Sequence, residues 1–183
     1  MDKKQHALNL CKILGKIKDL KRTGWIRRNV SLPESDADHM FSATFLTLML
    51  TPQNLNKQRC LELVLCHDIQ EIYSGDPVPG EKADKEKHQA ESEAINRIAS
   101  ELDFPYLKEL FEEFEAQKTP EAKFAKIIDK LDTAISAYYY DSTQRTNMPL
   151  EKEFFAHAIK EIEKIDSPFK NIGLEILQNL SEK

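Results

Sequence analysis

The sequence predicts an all-α protein, and three observations lead to that fold class. Apolar residues recur every three or four positions along nearly the whole chain, which is the spacing of one helix face. No segment shows the strict alternation of apolar and polar residues that marks a half-buried strand. Residues that start or stop helices separate the apolar stripes. A chain of 183 residues can bury one sizeable core, so we expect a single domain over residues 1–183.

The first two predicted helices flank a loop. The first ends near Lys21, and residues 22–34 lack periodicity and predict a loop. Ser35 should cap the second helix, because Asp38 three residues later completes a capping box. Pro52 should end it. The expected apolar stripe of the first helix is Leu10, Leu14 and Ile17, and that of the second is Phe41, Phe45, Leu48 and Met49.

A third helix is predicted from Lys57 to Tyr73, ending at Ser74-Gly75. A loop rich in proline and glycine follows at residues 76–80. The next helix is strongly charged, and we expect it to be exposed. Its few apolar positions are Ala94, Ile98 and Leu102.

The second half of the chain predicts four more helices. The first is short, and its apolar residues are Leu107, Leu110, Phe111 and Phe114. Thr119-Pro120 supplies a cap followed by proline at the first helical position of the next helix. Ser167-Pro168 should open the last. We expect the helices of residues 150–180 to pack on a functional core of about residues 10–145.

The composition indicates a cytoplasmic protein with no membrane partner. No apolar run approaches the roughly 20 residues that a membrane-spanning helix needs. The N-terminal segment is amphipathic and broken by lysines, unlike the core of a signal peptide. The three cysteines form no paired framework and lie in apolar periodic segments, so we expect reduced core residues. They are Cys11, Cys60 and Cys66.

Charge is distributed unevenly along the chain. The net charge of −5 argues against binding of a nucleic-acid polymer. Residues 1–30 nevertheless contain nine Lys and Arg residues against two Asp and Glu residues. This basic stretch is either a solvated helix face or a surface that attracts phosphate, concentrated at Arg22, Arg27 and Arg28.

Two polar residues, His67 and Asp68, interrupt the apolar run of the third predicted helix, and both are residue types that can bind metals. With His39 upstream and Asp129 downstream, they supply two imidazoles and two carboxylates, which suffice for one divalent cation. Asp129 lies among apolar residues, where a carboxylate is costly unless it faces solvent or a ligand. Each residue also has an ordinary interpretation, as a hydrogen-bonded histidine, a polar helix face, or a salt bridge between Asp129 and a neighbouring lysine.

Several motifs follow one another at compatible spacing over about residues 10–145. They are Trp25-Ile26-Arg27-Arg28-Asn29-Val30, Pro33-Glu34-Ser35-x-x-Asp38-His39-Met40, His67-Asp68-x-x-Glu71, Gly75-Asp76 and Glu121-Ala122-Lys123-Phe124-x-Lys126-x-x-Asp129. In this order they resemble the HD-domain phosphohydrolases. Within that superfamily the resemblance is to the small 5′-deoxynucleotidases and their eukaryotic HD-domain relatives.

The resemblance implies a helical bundle, a homodimer and a role for each matching residue. The residues that match its metal ligands are His39, His67, Asp68 and Asp129. Glu71 and Asp76 match the two acidic residues that the family uses in catalysis. Arg27 or Arg28 would hold the substrate phosphate, with Arg28 the better match, and Trp25 would shape the substrate pocket. The other histidines of charged helical segments, His88 and His157, are interpreted as ordinary surface residues.

The donor set also constrains the metal and the reaction. Nitrogen and oxygen ligands without a thiolate favour Mn²⁺, Co²⁺, Fe²⁺ or Mg²⁺ over structural Zn²⁺. The sequence thus predicts a metal-dependent phosphomonoesterase that converts deoxynucleoside 5′-monophosphates to deoxynucleosides and phosphate. The alternatives are another HD-type hydrolysis, of phosphodiesters or deoxynucleoside triphosphates, and a non-enzymatic interaction protein that binds a metal. Glu71 and Asp76 argue against the last, because metal binding alone requires neither.

Overall fold

The computed structural model describes residues 2–77 and 83–182. These residues form ten helical segments: α1 Lys3–Asp19, α2 Thr23–Ile26, α3 Asp36–Leu50, α4 Lys57–Cys66, α5 Glu71–Ser74, α6 Asp84–Glu101, α7 Tyr106–Ala116, α8 Pro120–Ser142, α9 Glu151–Lys164 and α10 Lys170–Ser181. Extended pairing in the described ranges is a single bridge between Lys21 and Ser35. The all-α prediction is confirmed. Within the same ranges, no helix is both long and apolar enough to cross a membrane.

Helix α8 runs through the centre of the bundle, where it contacts α3, α4, α7, α9 and α10. Thr119 caps its start as predicted, with its hydroxyl oxygen accepting from the Ala122 N–H at 3.1 Å. Fully buried residues of α8 include Phe124, Ile127, Ile128, Leu131 and Ala134. Asp129 and Asp132 project from the same buried helix, with 5% and 2% of their surface exposed. Carboxylates in such a place need partners that offset the loss of water.

The third helix predicted over Lys57–Tyr73 is wrong in its second half, because α4 and α5 are separate. The backbone tightens between them, where the Glu71 N–H donates to the Asp68 carbonyl at 3.0 Å. On a continuous helix, the side chains of His67 and Asp68 would point about 100° apart. The tight turn brings both toward one point.

The segment predicted as a loop at residues 22–34 contains the single turn α2. The Asp76 carboxylate accepts a hydrogen bond from the Thr23 N–H at 2.6 Å and so caps the start of this turn. The sequence around Thr23 does not predict this helical turn, because its capping residue lies 53 positions away. The proline- and glycine-rich loop predicted at residues 76–80 lies outside the described residues from residue 78 onward.

Helix α3 begins as predicted but turns its large apolar residues outward. The capping box is present, with the Ser35 N–H donating to Asp38 Oδ2 at 2.8 Å and the Asp38 N–H to Ser35 Oγ at 3.2 Å. The predicted core stripe is exposed: Phe41, Phe45, Leu48 and Met49 are 72, 56, 46 and 67% accessible. Smaller or polar residues, including His39 and Ala43, face the core instead. Helical periodicity shows that apolar residues share one face of a helix, but it does not show whether that face packs in the core.

Four smaller expectations are also wrong. Leu10 and Leu14 of α1 are exposed, while Ile13 and Ile17 are buried. Helix α6 is exposed on its charged face only, because it buries Ala94, Ile95, Ile98 and Ala99 on the other. Cys11 is exposed, in contrast to the buried Cys60 and the half-buried Cys66. The last helix begins at Lys170 rather than directly after Ser167-Pro168.

Gly173 of α10 packs tightly against α8 and α9. A Cβ placed there would lie 3.1 Å from Ile127 Cγ2 and 3.2 Å from Ile162 Cδ1. Gly173→Val should therefore lower the free energy of unfolding by about 1–3 kcal/mol through overpacking. Gly15→Val is the matched control, since a Cβ there meets nothing within 4 Å. Urea unfolding measures both, and equal midpoints for the two variants would contradict the packing described.

Candidate metal centre

Four side chains from α3, the α4–α5 turn and α8 converge in the core. His39 Nε2 lies 3.1 Å from His67 Nε2. Asp68 Oδ2 lies 3.2 Å from His67 Nε2 and 3.6 Å from His39 Nε2. Asp129 Oδ1 lies 3.5 Å from His39 Nε2 and 3.7 Å from His67 Nε2. Neighbouring ligands of one ion at typical bond lengths lie about 3.0–3.4 Å apart. The two shortest separations fall in this range and the other three exceed it by up to about 0.3 Å. One ligand atom each from His39, His67 and Asp129 lies within 4.8 Å of the other two.

The outer nitrogen of each imidazole is already occupied. His67 Nδ1 donates to the Val64 carbonyl at 2.7 Å, and His39 Nδ1 lies 2.7 Å from Asp132 Oδ2. Because a carbonyl and a carboxylate accept hydrogen bonds, both Nδ1 atoms carry a proton, and each Nε2 is left to bind either an ion or a further proton. Two lone pairs 3.1 Å apart repel unless a cation or a proton lies between them. The donor set therefore fits a bound divalent ion.

Electrostatics of the centre favour positive charge. Burial alone would lower the pKa of His67, but Asp68 and Asp129 raise it to about 10. Burial and Arg22 lower the pKa of His39, and Asp129 and Asp132 more than offset them. Burial raises the pKa of Asp68, yet the His67 imidazole brings it below its usual range. A divalent ion must displace a proton here, so its affinity rises with pH.

Asp129 divides its two oxygens between the centre and two lysines. Oδ1 faces the imidazoles, while Oδ2 lies 3.5 Å from Lys126 Nζ and 3.0 Å from Lys130 Nζ. Burial would raise its pKa, but Lys130 and Lys126 hold it well below the usual range. The structure shows the salt bridges of Asp129 with two lysines and also places its other oxygen beside the two imidazoles.

Arg22 lies closer to the centre than either arginine chosen from the sequence as the phosphate ligand. Its guanidinium approaches Asp68 Oδ2 at 3.3 Å, Thr133 Oγ1 at 3.4 Å and Glu34 Oε1 at 3.6 Å. Burial opposes its charge, but Asp68 and Glu34 raise its pKa above the usual value. Sequence reasoning named Arg22 only as one of three basic residues, because the pairing with Asp68 spans 46 positions.

A second group of carboxylates adjoins the centre. One oxygen each from Asp36, Glu71 and Asp76 lies within 4.8 Å of the others. Both oxygens of Asp36 and one of Glu71 are buried without a hydrogen-bond partner. Burial and Asp68 raise the pKa of Asp36 to about 7 and that of Glu71 well above its usual value. Sequence reasoning missed Asp36, since an acidic residue in the first turn of a helix is common for the helix dipole alone.

A cavity of about 410 Å³ is lined by Asp68 and Asp129 of the centre and by Glu71 and Asp76 of the second group. Trp25 lines it, donates from Nε1 to Glu34 Oε1 at 2.8 Å and packs on Phe154 with ring centroids 4.5 Å apart. Arg28 also lines it, paired with Glu153 and lying over the Phe154 ring. The other lining residues that sequence reasoning passed over include Lys87, Lys126, Lys130, Thr133 and His157. Arg27 has an exposed side chain at the end of α2.

Comparison with known proteins identifies the fold. Residues 14–168 match the family model of the HD domain. The chain belongs to the HD-domain family. This HD domain is 38% identical to the 5′-deoxynucleotidase HDDC2 of Danio rerio, across 82% of the chain and 76% of that protein. It is 40% identical to the 5′-deoxynucleotidase hdd1 of Schizosaccharomyces pombe, across 70% of the chain and 69% of that protein.

Solved structures of archaeal proteins share the architecture of this HD domain. A protein of Pyrococcus horikoshii OT3 has a TM-score of 0.77 at 29% identity, covering 94% of this chain and 96% of its own. A conserved hypothetical protein of Pyrococcus furiosus has a TM-score of 0.78 at 30% identity, covering 96% and 99%. The helical arrangement that brings the candidate ligands together is therefore common to these proteins.

Asp132 should control metal affinity without touching the ion, because it fixes the orientation and tautomer of His39. Asp132→Asn should lower Mn²⁺ affinity about 10–100-fold. Isothermal titration measures the affinity, and the matched control is Asp166→Asn, whose carboxylate is fully exposed. Equal affinity for Asp132→Asn and the control would show that the Asp132 contact does not orient the site.

Proposed function

We propose that the chain is a metal-dependent 5′-deoxynucleotidase, which hydrolyses deoxynucleoside 5′-monophosphates to deoxynucleosides and phosphate. One observation carries the proposal: Asp68 and Asp129 of the candidate ligand set line a 410 Å³ cavity whose walls also bear arginine, lysine and aromatic side chains. Cavities of about 300–1,000 Å³ commonly hold small ligands. The names of the curated relatives support the reaction and the substrate class.

His39, His67, Asp68 and Asp129 are the proposed metal ligands, and their nitrogen and oxygen donors favour Mn²⁺, Co²⁺, Fe²⁺ or Mg²⁺. When bound, such an ion supplies a Lewis acid for a phosphate oxygen and lowers the pKa of a coordinated water. The His39 and His67 side chains hold their Nε2 atoms toward this position through their Nδ1 hydrogen bonds.

Cationic side chains around the cavity would hold the phosphate of the substrate. Arg22, Lys126 and Lys130 line the wall beside Asp68 and Asp129, and Lys87 lines it from α6. A phosphate dianion that enters would pair with these cations, and their charge would stabilise the negative charge on phosphorus oxygens in the transition state. Arg28, at the rim and paired with Glu153, would contact the substrate farther from the reacting phosphorus.

Hydrolysis breaks the bond between phosphorus and the 5′-oxygen. Water adds to phosphorus and loses a proton, and the departing oxygen gains one. Glu71 is buried and its pKa is raised well above the usual value by burial and by Asp68, so it suits donation of a proton to the departing oxygen. Asp76 is less buried and lines the cavity, so it suits acceptance of the proton from water. The pair would thus divide the two proton transfers.

The nucleoside would lie against the aromatic side of the cavity. Phe154 offers ring surface for a base, and the buried Trp25 ring packs against it with centroids 4.5 Å apart. His157 is part of the same lining. A cavity of about 410 Å³ suits a small ligand such as a mononucleotide, and the net charge of −5 argues against binding of a nucleic-acid polymer. Three free thiols are consistent with the reducing cytoplasm as its location.

The activity is tested by phosphate release from dAMP, dGMP, dCMP, dTMP and dUMP with Mn²⁺, Co²⁺, Fe²⁺ or Mg²⁺. We expect at least one nucleotide to be cleaved, and Glu71→Gln to lose about 10²–10⁴-fold in kcat with its metal retained. Asp68→Ala should lose both metal and activity, since it removes a proposed ligand. His6→Ala, a histidine of α1 outside the cavity lining, should behave as wild type.

Two results would reject the proposal. One is the absence of hydrolysis of all five nucleotides with every metal, from protein that binds the metal. The other is full turnover by Glu71→Gln. Cleavage of deoxynucleoside triphosphates or phosphodiesters in place of the monophosphates would redirect the assignment to another HD-type hydrolysis.

We also propose that the outward face of α3 joins two copies of the chain in a homodimer. Phe41, Phe45, Leu48 and Met49 are all at least 46% exposed, and exposed Leu65 lies on the adjoining helix α4. Single exposed apolar residues are ordinary, but a stripe of four on one helix is typical of a protein interface. A symmetric pairing of this face would bury the stripe against itself.

Charge on this face should separate the copies. Phe41→Glu combined with Met49→Glu should convert a dimer to a monomer in light scattering, because four buried carboxylates per dimer are costly to desolvate. Met148→Glu, an exposed methionine outside α3, is the matched control and should remain dimeric. A wild-type monomer, or a double variant that stays dimeric, would contradict the proposed interface.

A further inference from the structure

A group of possible metal ligands lies between α6 and α7, separate from the centre described above. His88 and Glu91 are three residues apart and so share one face of α6. Glu115 comes from the last turn of α7. One ligand atom from each of the three side chains lies within 4.8 Å of the other two. None of the three belongs to the His39, His67, Asp68 and Asp129 set.

The His88 side chain packs against helix α7. The His88 ring stacks on Phe111 of α7, with centroids 6.1 Å apart and planes inclined by 17°. Phe111 and Glu115 are four residues apart on α7 and therefore lie on the same face. The imidazole therefore lies beside the same face of α7 as Glu115, with ligand atoms of the two side chains within 4.8 Å. The exposed His88 and Glu115 can rotate by the small amount that bonds of about 2.0–2.2 Å to one ion require.

Glu91 is the unusual member of the group, because its side chain is only 7% exposed. The ammonium of Lys87 lies 3.5 Å from its carboxylate, beyond the usual length of a charge-assisted hydrogen bond. Burial, together with the nearby Glu115, raises the pKa of Glu91 despite that lysine. A cation that bound closer to the buried Glu91 carboxylate than Lys87 does would therefore stabilise its negative charge.

We propose that His88, Glu91 and Glu115 form a second binding site for a divalent transition-metal ion. One imidazole nitrogen and two carboxylate oxygens suit Zn²⁺, Co²⁺ or Mn²⁺, with water completing the coordination at the exposed side. Two carboxylates balance the charge of such an ion. Exposure of two ligands and competition from Lys87 make this the weaker of the two sites.

Lys87 connects this site with the cavity. Its ammonium pairs with Glu91, and its side chain is also part of the cavity lining. An ion that takes the Glu91 carboxylate displaces the ammonium, which is then available to an anion in the cavity. Ion binding between α6 and α7 would therefore increase the affinity of the cavity for phosphate, and phosphate would increase the affinity for the ion to the same degree.

Titration of chelator-treated protein with Co²⁺ or Zn²⁺ alone tests the site. We expect two ions per chain for wild type and one for the double variant His88→Ala, Glu115→Gln. The double variant should still bind one ion tightly at the centre formed by His39, His67, Asp68 and Asp129, which would show that it is folded. The matched control, His6→Ala with Glu112→Gln, replaces the same residue types elsewhere on α1 and α7 and should bind two ions.

Two further variants separate the proposed ligands from general effects on folding. Glu115→Gln alone, at an exposed position, should weaken the second event at least tenfold. Lys87→Met should strengthen it, because a competing cation is removed. A single ion in the wild type, a second event that survives in the double variant, or a weakened second event in Lys87→Met would overturn the proposal. None of these outcomes depends on nucleotidase activity.

Discussion

The close approach of two buried imidazoles is the interaction on which the rest of the structure depends. Their Nε2 atoms lie 3.1 Å apart, and hydrogen bonds to Asp132 and to the Val64 carbonyl keep both from rotating away. Buried polar groups are costly unless they are paired, and this pair is satisfied only by a shared cation or proton. The fold therefore builds a place for positive charge into its core.

Other features of the bundle follow from that requirement. The central helix α8 contributes Asp129 and Asp132, three residues apart, so one rigid element both faces the cation position and orients His39. The break between α4 and α5 brings Asp68 beside His67. Around these acids stands a layer of cations that includes Arg22, Lys126 and Lys130. The cations would bind a phosphate and the acids would bind a metal, so the cavity suits the two together.

Much of this was readable in the sequence because it depends on local pattern. The all-α class, the Ser35 capping box and the start of α8 follow from periodicity and cap chemistry. The ordered motifs singled out His39, His67, Asp68 and Asp129, and the structure brings these four side chains together. Their roles as ligands remain predictions for metal binding to test.

What the sequence could not provide depends on contacts between distant residues. Arg22 meets Asp68 across 46 positions, and Asp76 caps α2 across 53. Periodicity marked the α3 stripe as apolar but could not distinguish a core face from an exposed one. The helix break after Cys66 was missed because the surrounding residues have the spacing of one continuous helix.

Anomalous diffraction from crystals soaked in Mn²⁺ tests the central claim most directly. We predict that the strongest anomalous peak lies between the Nε2 atoms of His39 and His67, within bonding distance of Asp68 and Asp129 oxygens. The Nδ1 contacts should remain as they are. The account would be contradicted if Mn²⁺ bound elsewhere in the crystal and left no peak between the two imidazoles.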